Sequence, residues 1–327
     1  MIKTLIYILG TLLTMLVAIV FIVGQPFVLR LDRVETPNVK SETLEAHVRY
    51  LSTVLPKRIG QEAALISTVK WIEKELTPYG KPYRQSYVEN EQVFHNILID
   101  FGPKQKDSDE IIVIGAHYDT AHGFPGADDN ASGVAGLIEL ARLLSETKSP
   151  LKHRIQLAFY TLEEPPYFRT NKMGSFIHAK RFKVDKQKVQ MMISLDMIGY
   201  FTDEENSQHL PFPLMDKIYP TEGNFIGVIA DLSNMGAVRK IKRHFRSATD
   251  LPIHSFNAPK FVTGIDFSDH LNFWYHDYPA VMITDTSFNR YEHYHTEQDT
   301  PEKLDYVKMA EVVKGIYQTT IHLATKQ

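Results

Sequence analysis

The chain has no cysteine among its 327 residues. Disulfides are therefore excluded as a source of stability, and any zinc must be held by imidazole and carboxylate, because thiolate ligands are absent. A cysteine-free chain suits reducing and oxidising compartments alike, so this absence does not locate the protein. An excess of charge of one sign is also missing. The 36 Lys and Arg residues nearly balance 39 Asp and Glu, leaving a formal charge of −3. With no basic stripe and no internal repeat, there is no electrostatic case for nucleic acid as a partner.

What is present has the proportions of an ordinary globular protein: 43% hydrophobic and 23% charged residues. The length allows one large α/β domain or two smaller ones. At the amino terminus, residues 5–23 carry no charge and follow Lys3. A helix of that length nearly crosses a hydrocarbon core of about 30 Å. The run exceeds a usual signal-peptide core and no A-x-A-like site follows it. Residues 1–25 are thus expected to be a single-pass membrane anchor, 26–44 a stalk and 45–327 a catalytic domain. Basic residues flank the run on both sides, Lys3 before it and Arg30, Arg33 and Lys40 after it, so charge does not decide orientation; the short leading end leaves nothing to translocate backwards, and the domain is expected on the periplasmic or extracellular side.

Helical periodicity marks residues 42–55 and 62–76, the latter closed by Pro78 and Gly80. Short apolar runs then recur at 96–101, 111–114, 155–160, 191–195, 225–230 and 280–283. Their hydrophobicity is continuous rather than alternating, as in strands buried on both faces, and helical stretches separate several of them. The expected fold class is α/β, a three-layer α/β/α sandwich around a largely parallel sheet. Ligands of such sheets sit beyond the carboxyl ends of the strands. A helix at 132–145 carries Val134, Leu137, Ile138, Ala141 and Leu144 as one stripe. Thr300-Pro301 announces a last helix. The stretch 201–262 reads as irregular, in part a substrate-side insertion.

Acids and imidazoles follow these apolar runs. His117 leaves IIVIGA and precedes Asp119, a carboxylate placed to fix the imidazole's tautomer. Asp129 stands before the striped helix, where its two oxygens can face two metals, although Asp128, Asp129 and Asn130 also suit simple helix capping. Glu163 and Glu164 end the strand IQLAFYTL. Two adjacent, partly desolvated carboxylates repel, and each is easier to keep when one binds a cation and the other accepts protons. Asp196 ends MMISLD, a lone acid whose burial requires a metal or basic partner. His295 in HYHTEQDT supplies the last imidazole, with His293 competing for that role. Ligand arithmetic then closes two spheres: His117, Asp196 and a shared Asp129 on one metal, Glu164, His295 and the same Asp129 on the other. Glu163 remains as the base.

These motifs, AHYDT (116–120), PGADDNASG (125–133), LEEPPYF (162–168), GSFIHA (174–179), SLDMIGY (194–200) and YHTEQDT (294–300), resemble the dizinc aminopeptidases of the bacterial leucyl aminopeptidase type, in peptidase clan MH. The resemblance covers about residues 45–327. It implies metal ligands at His117, Asp129, Glu164, Asp196 and His295, a base at Glu163 and an imidazole partner at Asp119. It also implies a mixed eight-stranded sheet and a cis bond between Asp129 and Asn130. Tyr294 matches a tyrosine that some members place beside the last histidine to stabilise the oxyanion. Asp269 and His270 are left out, since both spheres close without them. The implied cofactors are two Zn2+ ions, other divalent metals being compatible with the donors. The implied substrates are peptides with a free amino terminus. Two rivals remain: a single-zinc glutaminyl-peptide cyclotransferase, and a non-catalytic membrane-anchored binding protein on the same scaffold.

Overall fold

The computed structural model describes residues 2–29, 31–103, 110–211, 213 and 215–325. Eight strands form one sheet: β1 Tyr83–Glu89, β2 Gln92–Phe101, β3 Glu110–His117, β4 Arg154–Tyr160, β5 Lys188–Leu195, β6 Ile226–Asp231, β7 Ile253–Ala258 and β8 Ala280–Thr284. Their spatial order is β1-β2-β4-β3-β5-β8-β6-β7. The centre, β4-β3-β5-β8, is parallel throughout, as is β6 with β7. The joins β1 to β2, β2 to β4 and β6 to β8 are antiparallel. The sheet is mixed, and its parallel centre is where the longest apolar runs fall.

Those runs are continuous because both faces are covered. Alternate residues of β3 divide between two cores. Ile112, Ile114 and Ala116 pack with the helices α2 (Ser41–Arg49), α3 (Glu62–Leu76), α4 (Gly133–Glu146), α6 (Met235–Ala248) and α8 (Tyr306–Thr325). Ile111 and Val113 pack on the other face with α5 (Gly174–Val184) and α7 (His270–Tyr275). Burying a Val or Ile side chain contributes about 1.5–3 kcal/mol, which fixes the alternation and hence the register of each strand.

Several expectations need correction. The last helix does not start at Thr300-Pro301. Those residues lead a single 3₁₀ turn, Pro301–Lys303, and α8 is capped at Asp305, whose carboxylate accepts from the amide of Lys308 at 2.9 Å. The stretch 201–262 is irregular only to about residue 225, because β6, α6 and β7 occupy the rest. β1 was not expected, being an edge strand with alternating exposure and a polar sequence.

The transmembrane expectation for residues 5–23 is also corrected. The segment is helical, as α1 (Ile2–Val23), yet among the described residues no helix is long and apolar enough to cross a membrane. Described positions on it include the polar Thr4, Thr11 and Thr14, and the last two turn their hydroxyls back onto the carbonyls of Tyr7 and Gly10. Its carboxyl end is tied to α6 and β7 instead. Asn257 Nδ2 donates to the carbonyl of Val23 at 2.8 Å, and Lys242 Nζ donates to those of Gly24 and Gln25 at 3.0 and 2.9 Å. These are carbonyls that a helix leaves without internal partners at its end.

Candidate active site

Because β3, β4, β5 and β8 run parallel, their carboxyl ends lie on one edge of the sheet. His117 is the last residue of β3, Glu163 and Glu164 follow β4 by a few residues, and Asp196 follows β5 directly. The loop after β8 carries Tyr294 and His295. Asp129 enters between Gly126 and α4. That entry needs glycine, since Gly126 has φ +57° and a Cβ there would come within 2.3 Å of the Asp129 carbonyl oxygen. The peptide bond between Asp129 and Asn130 is cis.

The structure brings these side chains into one cluster. Asp129 lies in the middle. Its Oδ1 is 3.3 Å from His117 Nε2, and its Oδ2 is 3.0 Å from His295 Nε2. Asp196 Oδ2 approaches His117 Nε2 at 3.7 Å, and Glu164 Oε2 approaches His295 Nε2 at 3.2 Å. Two imidazole and acid pairs therefore flank a single carboxylate. Glu163 Oε2 stands 4.0 Å from His117 Nε2. His293, the competitor, pairs with Glu292 and does not enter the cluster contacts. Tyr294 stacks on His295 with ring centroids 3.8 Å apart.

Asp119 holds this arrangement from behind. His117 Nδ1 is 3.1 Å from the Asp119 carbonyl and 3.6 Å from its carboxylate. That carboxylate also accepts from the amides of Glu163 and Glu164 at 3.2 and 3.1 Å, locking the end of β4 to the end of β3. Two residues that sequence reasoning missed act likewise. Asp299 accepts from the amides of Asp128 and Asp129 at 2.9 and 3.1 Å and from the Tyr291 hydroxyl at 3.1 Å. The fully buried Arg58 donates to the carbonyls of Tyr118, Pro125 and Gly126 at 2.8, 3.1 and 2.8 Å. Both bond to main chain, so nothing in their neighbours in sequence marks them.

The electrostatics describe a site that draws cations. Burial alone would lower the pKa of both imidazoles, but Glu163 and the bonded acids carry His117 well above its usual value, while Asp129 and Glu164 raise His295 to about 10. Burial would likewise raise Asp129, yet its contacts with both histidines bring it below the ordinary carboxylate range. Burial pushes Glu163 strongly upward, with Glu164 and Asp196 adding to it against the pull of His117. Burial and then Asp129 raise Glu164 to about 7.

Candidate ligand atoms of His117, Asp129 and Glu164 lie within 4.8 Å of one another, close enough to hold a metal ion. Glu164 Oε1 is buried without a hydrogen-bond partner, an acceptor that a cation would satisfy. The nitrogen and oxygen donor set suits zinc.

A cavity of about 520 Å³ opens from the cluster. Phe168, Phe267, Phe288 and Tyr294 form an aromatic arc along it, with successive centroids 5.7, 6.0 and 5.7 Å apart.

Residues 96–320 match the model of peptidase family M28. The chain belongs to this family. It is accordingly a zinc-dependent metallopeptidase. Its relatives include the uncharacterized protein YfbL of Escherichia coli, 43% identical over 303 residues, which are 89% of this chain and 91% of that one. Leucine aminopeptidase 1 of Ajellomyces dermatitidis is 26% identical over 219 residues, 63% of this chain. The chain spans about half of that relative's length, 51%. Among solved structures, the LapA aminopeptidase of Legionella pneumophila has a TM-score of 0.67 at 20% identity, covering 90% of this chain and 78% of its own. The glutaminyl cyclase of Fimbriiglobus ruber has a TM-score of 0.66 at 19% identity, covering 89% and 97%. At such identities these structures bear on the fold alone.

Proposed function

We propose that this M28 member is an aminopeptidase, removing the first residue of peptides with a free amino terminus, and that it works with two zinc ions. The observation that carries the reading is Asp129. One buried carboxylate presents a separate oxygen to each of two imidazoles, and each imidazole has a further acid of its own. His117, Asp196 and Asp129 would hold one ion, and Glu164, His295 and Asp129 the other. Bound there, zinc would lower the pKa of a water molecule and polarise the scissile carbonyl.

The chain's own residues do the rest. Glu163 is the remaining acid of the cluster, and we assign it as the base that takes the water's proton and returns it to the leaving amine. Its upward-shifted carboxyl suits a group that must both accept and donate near neutral pH. Tyr294 has its hydroxyl pushed upward by burial and by Asp129 and Glu164, so it stays protonated and can donate to the carbonyl oxygen in the transition state. Asp119 orients His117 and fixes the backbone that carries the two glutamates. The acid-rich floor attracts the substrate ammonium, and the aromatic arc selects an apolar first side chain.

The test is Glu163→Gln, assayed with leucyl and glutaminyl peptides alongside metal analysis. The variant is expected to keep its metal and to lose about 10²-fold or more in kcat. Activity near that of the unmodified protein would remove Glu163 from the mechanism. Two zinc ions per chain are expected, and a single tightly held ion would favour the cyclase reading. Pyroglutamate formed from a glutaminyl peptide, without release of leucine from a leucyl peptide, would replace the aminopeptidase assignment. A chain retaining no metal would favour a binding role.

A further inference from the structure

Part of the cavity lining, Gln208, Leu210, Met215 and Phe225 among it, comes from residues 201–225, a stretch that has neither strand nor α-helix to hold it among its described residues. A buried cation holds it instead. Arg290 donates from Nε and Nη2 to Gln208 Oε1 at 3.0 and 2.9 Å, and from Nη1 to the carbonyl of Phe225 at 2.9 Å and that of Tyr200 at 3.3 Å. Its guanidinium lies 4.6 Å from the Phe225 ring centroid and 5.8 Å from that of Phe201. The chain can pass over the arginine only because residue 223 is glycine, where a Cβ would come within 2.8 Å of Arg290 Cδ. Gln208 extends the clasp. It accepts from Thr286 Oγ1 at 3.0 Å and donates to the Asn289 carbonyl at 3.3 Å, while the amide of His209 donates to the same carbonyl at 2.7 Å.

Among the described residues, no carboxylate lies within ion-pair distance of Arg290. A buried guanidinium satisfied by an amide and carbonyls is a demanding way to gain stability, since an apolar residue of similar volume is often as good or better. Besides a charge that faces the buried Asp285 and Asp128 from beyond ion-pair distance, what Arg290 supplies that an apolar side chain would not is direction, four bonds that fix one loop path. Gln208, Phe225 and Asn289 all line the cavity.

We propose that Arg290 is a positioning residue for substrate selection. Through Gln208 and Phe225 it holds segment 201–225 at the distance that gives the cavity room for a bulky apolar first side chain. The inference rests on the aminopeptidase reading of this site and deepens it.

The experiment compares the zinc-loaded full chain with Arg290→Met and Arg290→Lys, using phenylalanyl and alanyl p-nitroanilides. In R290M, KM for the phenylalanyl substrate is expected to rise about tenfold or more with kcat nearly unchanged, whereas KM for the alanyl substrate moves less than about threefold. R290K, which keeps charge but not the fork, should fall between, and it carries the test if R290M does not fold. Thermolysin should also cut within 201–225 faster in the variants than in the unmodified chain. Equal KM changes for both substrates, a loss in kcat instead, or unchanged KM would each overturn the role. Should the unmodified chain hydrolyse neither anilide, the aminopeptidase reading fails by itself. Calorimetric binding of L-phenylalaninol then decides the inference, with about tenfold weaker binding in R290M supporting it and equal binding overturning it.

Discussion

At the scale of single residues, the site is built from two kinds of acid that look alike in sequence. Asp129, Glu164 and Asp196 turn their carboxylates toward imidazoles, whereas Asp119 and Asp299 spend theirs on backbone amides. Of the first kind, Glu164 and Asp196 were legible because an acid that ends an apolar strand has to meet a cation, and Asp129 only as an acid at the entry of a striped helix, where capping explained it equally well. Asp299 was not, since an aspartate in a polar loop carries no such obligation until the amides of Asp128 and Asp129 are seen pointing at it. Its contribution can be measured. Asp299→Asn keeps one acceptor and sets an NH2 group against the other amide, which should cost about 1–3 kcal/mol in stability. By loosening the segment that carries Asp129, it should also weaken metal binding about 10–100-fold. Thermal denaturation and a zinc titration against a competing chelator check both, and unchanged metal affinity would confine Asp299 to a structural role.

At the scale of elements, the central strands β3, β4, β5 and β8 could be read because each is buried on two faces, and β7 could not. Its sequence, IHSFNA, breaks the apolar pattern with two buried polar residues. Ser255 Oγ donates to the Gly24 carbonyl at 2.8 Å and Asn257 to that of Val23. Lys242 interrupts the apolar stripe of α6 for the same reason. The polar residues that hid these elements are the ones that receive α1, so a strand and a helix were obscured by a contact more than two hundred residues away in sequence.

Lys242 also makes this docking sensitive to pH. Burial depresses its ammonium to about 7, against 10.5 for the unperturbed group. The unfolded chain then binds more protons between those values, so the penalty for a charged Lys242 is full below about pH 7 and is relieved as pH rises toward 10.5. Compared with Lys242→Met, the unmodified protein should gain stability across that window, by at most about 1.4 kcal/mol per pH unit. Chemical denaturation of both proteins at several pH values reads the difference. A flat difference would mean that the two carbonyls and Ser255 Oγ satisfy the ammonium fully.

For the whole molecule, parallel pairing in the order β4-β3-β5-β8 is what lets residues nearly two hundred positions apart meet, and it brings mutually repelling charge with it. Asp129, the Glu163-Glu164 pair and Asp196 converge from three segments on a region where His117 and His295 pair with them directly and the buried Arg58 opposes them from further off. A cation bound there joins the ends of several elements at once, so metal affinity and global stability are linked. Zinc at a hundred times its dissociation constant should stabilise the fold by about 2.7 kcal/mol per site that binds only the native state, on the order of 5 °C in Tm for a chain of this size. Glu163→Gln should retain that gain, because Glu163 is assigned a proton and not an ion. Asp129→Asn should lose most of it, because it removes the charge presented to both imidazoles. Differential scanning calorimetry with and without zinc separates the cases. Equal gains in the two variants would mean that Asp129 is no more a ligand than Glu163, and the shared-carboxylate arrangement would then fall with it.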